Sequence, residues 1–154
     1  MGFDKKYFPG SDSGPVPLTA NARRRVRFEE VDMLFMVWHG HYVSYLEDGR
    51  IAFGDKYGLS YTALREAGIA APIVQMHLDY HAPLHFDQEF EIQAILHWCE
   101  PLRLNFEYVL MQEKTKVATG YTVQLFVDLE GNLIFTPPEF MAVFRENWRA
   151  GRCK

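Results

Sequence analysis

The chain has 154 residues, of which 48% are hydrophobic and 23% charged, and its formal net charge is -4. This length predicts one soluble domain with a real core, and the acidic balance argues against a general nucleic-acid binder, which would carry a basic face. No segment approaches the roughly 18 apolar residues of a membrane span, and the N-terminus lacks the apolar region of a signal peptide. Only Cys99 and Cys153 are present, without CxxC spacing, which favours a reducing compartment and a cytoplasmic location.

The first part of the chain is rich in glycine, serine and proline. Residues 1–20 show no sustained periodicity, so we predict a flexible N-terminal arm that Phe3, Tyr7 and Phe8 strap onto a neighbour. A first strand is predicted from about Arg23 to Glu30, where apolar and polar residues alternate.

A helical pattern begins near His41 and forms one apolar stripe. The stripe contains Tyr42, Tyr45, Leu46, Phe53 and Tyr57. Gly58 suits the end of this helix. Gly49 and Gly54 lie inside it, where each glycine costs about 1 kcal/mol relative to alanine, so we expect a sheet packed closely against the helix. A second short helix is predicted from Tyr61 to Ala67.

The rest of the chain alternates with period two. Four strands are predicted over residues 73–81, 90–98, 104–110 and 119–127, with a further short strand at 133–135, and a C-terminal helix follows Pro137-Pro138 and continues to Trp148. Phe106, Tyr108 and Tyr121 are interpreted as core residues. This order predicts an α+β hotdog fold, a curled antiparallel sheet wrapped around one long central α-helix. The predicted divisions are an arm at 1–20, a domain at 21–148 and a tail at 149–154.

The segment between the first strand and the long helix carries the chemistry. Asp32 lies seven residues before His39, across a short apolar loop. A carboxylate can act as a general base, and the free N–H groups at a helix N-terminus can stabilise an oxyanion. The spacing therefore predicts attack on an activated acyl carbonyl.

This segment resembles the 4-hydroxybenzoyl-CoA thioesterase branch of the hotdog superfamily, which includes the small bacterial acyl-CoA thioesterases associated with the Tol-Pal system. The motif is Asp32-x6-His39 with Tyr42, Glu47 and Arg50, and Ala82-Pro83-Leu84-His85-Phe86-Asp87 resembles a second family motif. The resemblance implies that Asp32 is the catalytic nucleophile or general base and that the His39 N–H polarises the thioester carbonyl. We assign the neighbouring Val37, Trp38, Gly40 and Tyr42 to substrate binding.

The resemblance also implies the remaining components of the reaction. Coenzyme A enters as part of the substrate, although an acyl-carrier protein is an alternative carrier, and no other cofactor is expected. The pocket is expected at the interface of a homodimer or a tetramer of dimers, because a lone curled sheet leaves open edges.

The chain departs from the family at two places. Met33, Leu34, Phe35 and Met36 stand where many relatives have one or two glycines, so we expect a narrowed pocket or an altered loop. Cys99-Glu100-Pro101 replaces a basic run that helps some relatives hold the CoA phosphates.

Several residues have a structural interpretation beside the functional one. Glu47 and Arg50 can form a structural ion pair on the helix, and Glu47 is a reserve catalytic candidate because some hotdog enzymes use a helix carboxylate. His77, His81 and His85 repeat every four residues, but the alternation predicts a strand, and we expect no metal site.

Two other functions are consistent with the same fold. The first is a non-catalytic hotdog protein that binds an acyl group or another ligand. The second is a dehydratase-type hotdog enzyme, which we rank lower because the chain lacks the corresponding Asp-x4-His motif with an adjacent glycine pair.

Overall fold

One antiparallel sheet and one long helix dominate the computed structural model, which describes residues 7–9 and 14–154. The five-stranded sheet has the order β1-β4-β5-β6-β3, and a two-stranded ribbon pairs β2 with β7. The strands are β1 (Leu18–Arg25), β2 (Ile69–Ala70), β3 (Ile73–Tyr80), β4 (Glu89–His97), β5 (Arg103–Gln112), β6 (Thr115–Leu125) and β7 (Val127–Asp128). The helices are α1 (Tyr42–Tyr57), α2 (Tyr61–Glu66) and α3 (Glu139–Arg149), with 3₁₀ turns at Phe28–Glu30 and His39–His41.

The sheet curls around α1 because alternate residues of its strands are apolar and point inward. The inward side chains of β4 and β5 are buried, and α1 packs against β1 and β4. Gly49 permits the closest approach, since a Cβ built there would lie 2.8 Å from Ile92 Cγ2. Gly54 instead makes room for the backbone of Leu59 and Ser60 after the helix. The predicted hotdog fold is confirmed, and no helix in the described part of the chain is long and apolar enough to cross a membrane.

The predicted first strand is wrong at both ends. β1 begins at Leu18, inside the segment predicted as an arm, and ends at Arg25. Phe28 is exposed and lies in a 3₁₀ turn, so the alternation that suggested a strand to Glu30 continues after the chain has left the sheet. The division at residue 20 therefore falls within a strand.

Part of the N-terminal segment lies on the outer face of the sheet, away from α1. The Tyr7 ring contacts His77 and Tyr121, and its hydroxyl donates to Asp79 Oδ2 at 2.6 Å. Phe8 also packs on Tyr121. These two side chains therefore pack on the sheet of their own chain, whereas Phe3 lies outside the described residues.

β6 is a strand, as predicted, but Tyr121 on this strand was wrongly interpreted as a core residue. Residues 118, 120, 122 and 124 of this strand are buried beside α1, and Tyr121 lies on the outer face, so it is not part of the core around the helix. The inner positions of β6 hold small or polar residues, so apolar alternation in the sequence does not reveal that these positions are buried. The strand predicted at 133–135 is reduced to a single bridge between Leu133 and Val127.

Replacing Gly49 tests the close packing of sheet and helix. Gly49→Leu should lower the free energy of unfolding by about 2 kcal/mol, because overpacking outweighs the gain in helix propensity. Urea denaturation measures the change. Ser44→Leu adds the same side chain at an exposed position of α1 and should change stability by less than about 0.5 kcal/mol. Equal stabilities of the two variants would contradict the packing argument.

Candidate active site

Asp32 opens a tight turn before the long helix. Val31 and Val37 pair as an antiparallel bridge, and between them Asp32 N–H donates to Met36 O at 2.9 Å. The Asp32 carboxylate accepts the Leu34 N–H through Oδ1 at 2.8 Å, which holds the side chain against its own turn. Phe35 has φ of 58°, a left-handed conformation that suits the glycine of relatives better than a bulky residue.

His39 begins the helical segment that leads into α1. Trp38 N–H donates to Glu30 O at 2.9 Å, and His41 N–H donates to Trp38 O at 2.9 Å. The N–H groups of His39 and Gly40 have no hydrogen-bond acceptor among the described residues. Free N–H groups at a helix start carry partial positive charge and can receive an anion.

A surface depression of about 320 Å³ brings the two halves of the motif together. Asp32 is half-buried in its wall, with His39 beside the helix start. The complete lining is Asp32, Met36, Val37, His39, Tyr42, Tyr80, His81, Ala82 and Pro83. Sequence reasoning did not assign Met36, Tyr80 or His81 to the site, although the Ala82-Pro83 motif marks the segment that follows the last residues of β3.

Two of the four residues assigned to substrate binding line the depression, and two do not. Val37 and Tyr42 line the depression, and burial raises the pKa of Tyr42, which keeps its phenol neutral. Trp38 and Gly40 do not line it. The Trp38 indole instead covers Gly40, where an added Cβ would lie 2.1 Å from the ring, and it packs on the His39 ring at 4.9 Å.

Most of the bulky turn residues lie outside the depression. Met33, Leu34 and Phe35 are exposed, and only Met36 reaches the lining. A narrowed pocket or an altered loop relative to other family members stays a prediction.

A buried carboxylate that the sequence did not reveal anchors this segment. Glu30 is 5% exposed, and its carboxylate accepts hydrogen bonds from Tyr45 Oη, Arg24 Nη2 and Arg27 N at 2.8–2.9 Å. Arg24 also contacts Asp48 on α1. Burial and the bond to Glu30 raise the pKa of Tyr45, so its hydroxyl remains a donor. These bonds join β1, the 3₁₀ turn and α1 beneath the site.

The predicted ion pair between Glu47 and Arg50 is wrong. Arg50 is 2% exposed, and its guanidinium donates to Gln124 Oε1 at 2.9 Å and to Leu59 O at 3.0 Å. It also lies 4.8 Å from the centre of the Tyr61 ring. The Arg50 side chain reaches toward the sheet and the α1–α2 connection, whereas Glu47 is half-buried and does not line the depression.

His77 on β3 and His81, the residue after β3, both lie beside polar side chains. His77 Nε2 is 3.0 Å from Asp79 Oδ2 but makes no hydrogen bond, and His81 Nε2 lies 2.8 Å from Thr119 Oγ1. His85 lies in another segment, where it pairs with Met36. Across the residues that the structure covers, no group of three or more His, Cys, Asp or Glu side chains is arranged to hold a metal ion.

Comparison with known proteins shows which family this chain resembles. The sequence model of the Thioesterase-like superfamily matches residues 26–145. An Aquifex aeolicus protein named "Putative esterase" is 29% identical over 124 residues, which cover 80% of this chain and 96% of that protein. The Bacillus subtilis protein named "Putative acyl-CoA thioesterase YneP" is 32% identical over 76 residues, which cover 49% of this chain and 52% of that protein. The crystal structure of the hypothetical protein TT1821 from Thermus thermophilus has a TM-score of 0.75 and 28% identity, and the match covers 84% of this chain and 98% of that one.

The chain therefore belongs to the Thioesterase-like superfamily, which has the hotdog fold. Membership of this family and the relatives named as thioesterases support hydrolase activity on thioesters. The narrower resemblance to the 4-hydroxybenzoyl-CoA and Tol-Pal-associated enzymes stays a prediction.

Removing the Glu30 carboxylate tests its role as an anchor. Glu30→Ala should lower the free energy of unfolding by about 3 kcal/mol, because it leaves the buried Tyr45 hydroxyl and the partly buried Arg24 guanidinium without their shared acceptor. Urea denaturation followed by tryptophan fluorescence measures the loss. The neighbouring Glu29→Ala removes an exposed carboxylate paired with Arg27 and should change stability by less than about 1 kcal/mol. A loss no larger than that of Glu29→Ala would refute the role of Glu30.

Proposed function

We propose that this protein hydrolyses an acyl thioester of coenzyme A, or of an acyl-carrier protein, to a free acid and a thiol. Asp32 acts as nucleophile or general base, and the His39 N–H stabilises the oxyanion. The reaction uses no cofactor beyond the CoA of the substrate. The two isolated cysteines suggest that it takes place in the cytoplasm.

One observation carries the proposal. Asp32 and His39 both line one depression, although six residues separate them in sequence. A carboxylate and a residue with an unsatisfied N–H donor thus line the same cavity, and these are the two components that acyl transfer requires. The carboxylate is half-buried and keeps Oδ2 available, since Oδ1 accepts the Leu34 N–H.

The proposed chemistry begins with attack on the thioester carbonyl carbon. In the water-mediated route, Asp32 accepts a proton from water as the water oxygen bonds to that carbon. In the covalent route, a carboxylate oxygen attacks directly and water later hydrolyses the resulting anhydride. In both routes the carbonyl oxygen becomes an oxyanion that accepts hydrogen bonds from the helix start, and collapse breaks the C–S bond to release a thiolate that takes up a proton.

The walls of the depression favour a compact acyl group. Met36, Val37, Tyr42 and Ala82-Pro83 supply apolar surface, and Tyr42 and Tyr80 add aromatic rings. Such walls accept small aliphatic or aromatic acyl groups by contact rather than by charge. The CoA carrier is supported by the name of the Bacillus subtilis relative.

Thiol release from a panel of acyl-CoAs tests the proposal. The panel spans short to long aliphatic chains and aromatic acyl groups. Wild type should hydrolyse at least one member, and Asp32→Asn should reduce kcat about 10²–10⁴-fold, because it removes the base or nucleophile without changing size. Asp55→Asn removes an exposed carboxylate near the far end of α1 and should leave kcat unchanged.

The same panel separates the alternatives. Binding of an acyl-CoA without release of thiol would favour a ligand-binding hotdog protein. Hydration of an enoyl thioester without thiol release would favour the dehydratase type. Full activity of Asp32→Asn would remove Asp32 from the mechanism.

We also propose that two copies associate along β3 to complete the site. β3 is an edge strand, and it presents exposed apolar side chains, among them Val74 at 56% exposure. Ile51 on α1 is a further exposed apolar side chain, at 45% exposure. Tyr80 and His81, from the end of this strand, form one wall of the depression, so a second copy seated there would wall its open side.

A charge introduced on β3 tests the association. Wild type should elute in size-exclusion chromatography with light scattering at twice, or four times, the chain mass of 17.9 kDa. Val74→Arg should shift the protein toward the monomer, because burying an unpaired charge is costly. Val143→Arg alters a similarly exposed valine on α3 and should leave the mass unchanged. A monomeric wild type, or an unaltered mass for Val74→Arg, would contradict this interface.

A further inference from the structure

His81 lies in the wall of the depression but has no part in the mechanism proposed above. It is the residue directly after β3, and its backbone N–H donates to Val117 O at 2.9 Å, which continues the pairing of β3 with β6. Its ring nitrogen Nε2 lies 2.8 Å from Thr119 Oγ1 on β6. His81 therefore joins the depression to a hydroxyl group of the neighbouring strand.

The Thr119 hydroxyl is the middle of a chain of hydrogen bonds on the outer face of the sheet. Its Oγ1 also lies 2.7 Å from Tyr7 Oη, and Tyr7 Oη donates to Asp79 Oδ2 at 2.6 Å. The Tyr7 ring is fixed by contacts with His77 and Tyr121, whose ring centres lie 5.7 and 5.2 Å away. The N-terminal segment thus supplies the link between the half-buried Asp79 carboxylate and the Thr119 hydroxyl.

Each hydroxyl has one proton, and this fixes the direction of every bond in the chain. Tyr7 donates its proton to Asp79, so the Tyr7 oxygen can only accept, and the Thr119 hydroxyl is the donor between them. Thr119 Oγ1 then accepts a hydrogen bond from His81 Nε2–H. Burial and the bond to Asp79 raise the pKa of Tyr7 to about 12, so its hydroxyl keeps its proton. The chain therefore holds a proton on Nε2 of His81.

The other ring nitrogen of His81 is the one that can gain and lose a proton. Nδ1 makes no hydrogen bond within the described part of the chain. An imidazole exchanges protons near neutral pH, and one that is oriented through its other nitrogen is suited to general acid or base catalysis. The second imidazole in the lining, that of His39, packs on the Trp38 ring and makes no hydrogen bond with any described residue. His81 is therefore the imidazole of the lining that is oriented for proton transfer.

We propose that His81 is a general acid that protonates the departing thiolate, and that Tyr7 and Thr119 are positioning residues that orient its ring. The proposal rests on the proposed thioesterase function. As the C–S bond of the tetrahedral intermediate breaks, sulfur keeps the electron pair of that bond and takes the proton from Nδ1 of the imidazolium. The ring becomes neutral and regains a proton from water. In the water-mediated route Asp32 releases the proton that it took, so one thioester and one water yield one acid and one thiol.

A comparison of two leaving groups tests the role of His81. Both substrates carry the acyl group that wild type hydrolyses fastest, one as a thioester of CoA and the other as a thioester of nitrothiophenol, whose thiolate is stable without a proton. His81→Gln should lower kcat about 10²-fold for the CoA thioester and less than about threefold for the aryl thioester, because only the alkyl thiolate needs an acid. KM for the CoA thioester should change by less than about twofold, since a role in binding alone would raise KM instead. His85→Gln is the matched control, because His85 is exposed and does not line the depression, and it should leave both rates unchanged.

Tyr7→Phe tests the chain of hydrogen bonds, because it keeps the ring and removes only the hydroxyl. The Thr119 hydroxyl then loses its acceptor and can donate to His81 Nε2, which moves the proton of the neutral ring to Nδ1. Two-dimensional ¹H–¹⁵N NMR of the imidazole nitrogens at alkaline pH distinguishes the two tautomers. Wild type should carry the proton on Nε2, and Tyr7→Phe should show the Nδ1–H tautomer, with kcat for the CoA thioester lowered about three- to tenfold. Tyr57→Phe removes a hydroxyl that donates to Thr19 O at 3.0 Å from the last residue of α1, and it should change neither the tautomer nor kcat.

Each outcome has a distinct meaning. A loss of kcat confined to the CoA thioester in His81→Gln, with a changed tautomer in Tyr7→Phe, supports the proposal. Equal losses on the two thioesters, no loss on either, or a change in KM alone overturns the general acid and leaves the proposed function standing, because wild type still releases thiol. A wild-type ring protonated on Nδ1, or a tautomer unaltered in Tyr7→Phe, overturns the positioning role. Absence of thiol release by wild type from every thioester overturns both the proposal and the function.

Discussion

The geometry of the site depends on the hydrogen bonds that the buried Glu30 carboxylate accepts. It accepts hydrogen bonds from Arg24 on β1, from Tyr45 on α1 and from the backbone N–H of Arg27, while the Glu30 carbonyl accepts the Trp38 N–H. Because a buried carboxylate is tolerated only when its oxygens are satisfied, these partners must remain in register. Glu30 therefore fixes the positions of β1 before the Asp32 turn, of α1 after it, and of the backbone just before His39.

This anchor explains how Asp32 and His39 can face one cavity although six residues separate them. The pairing of Val31 with Val37 closes the turn that carries Asp32, and the Glu30–Trp38 bond continues that pairing to the start of the helix. The Val31–Val37 bridge thus positions the turn that carries the Asp32 carboxylate, and the next hydrogen bond of the same hairpin positions the backbone just before the His39 N–H. Groups held in this way need little reorganisation when charge develops on a substrate, which is the condition under which backbone donors are most effective.

The sequence predicted the elements whose signal is local, and it missed those that depend on tertiary contacts. Period-two runs and one helical stripe sufficed for the hotdog fold, and the spacing of Asp32 and His39 sufficed to name two residues that share the depression. Glu30 could not be recognised, because only its bond from the Arg27 N–H is local, whereas Arg24 lies on β1 and Tyr45 lies on α1. Alternation through Phe28 suggested a longer strand because periodicity does not reveal where a chain leaves a sheet. Nothing local in the sequence indicates that the Tyr80 hydroxyl reaches the helix start.

In the proposed site, the groups that carry out the chemistry differ from the side chains that set the acyl preference. The proposed chemistry needs one carboxylate and backbone donors, and neither demands a particular residue in the walls. Acyl preference must then arise from side chains such as Met36 and Tyr42, and from whatever closes the open side near β3. Tyr80 belongs to both parts, because its ring forms wall and its hydroxyl holds the His39 carbonyl. A change in the position of the edge strand would therefore move a wall of the depression and the contact at the helix start together.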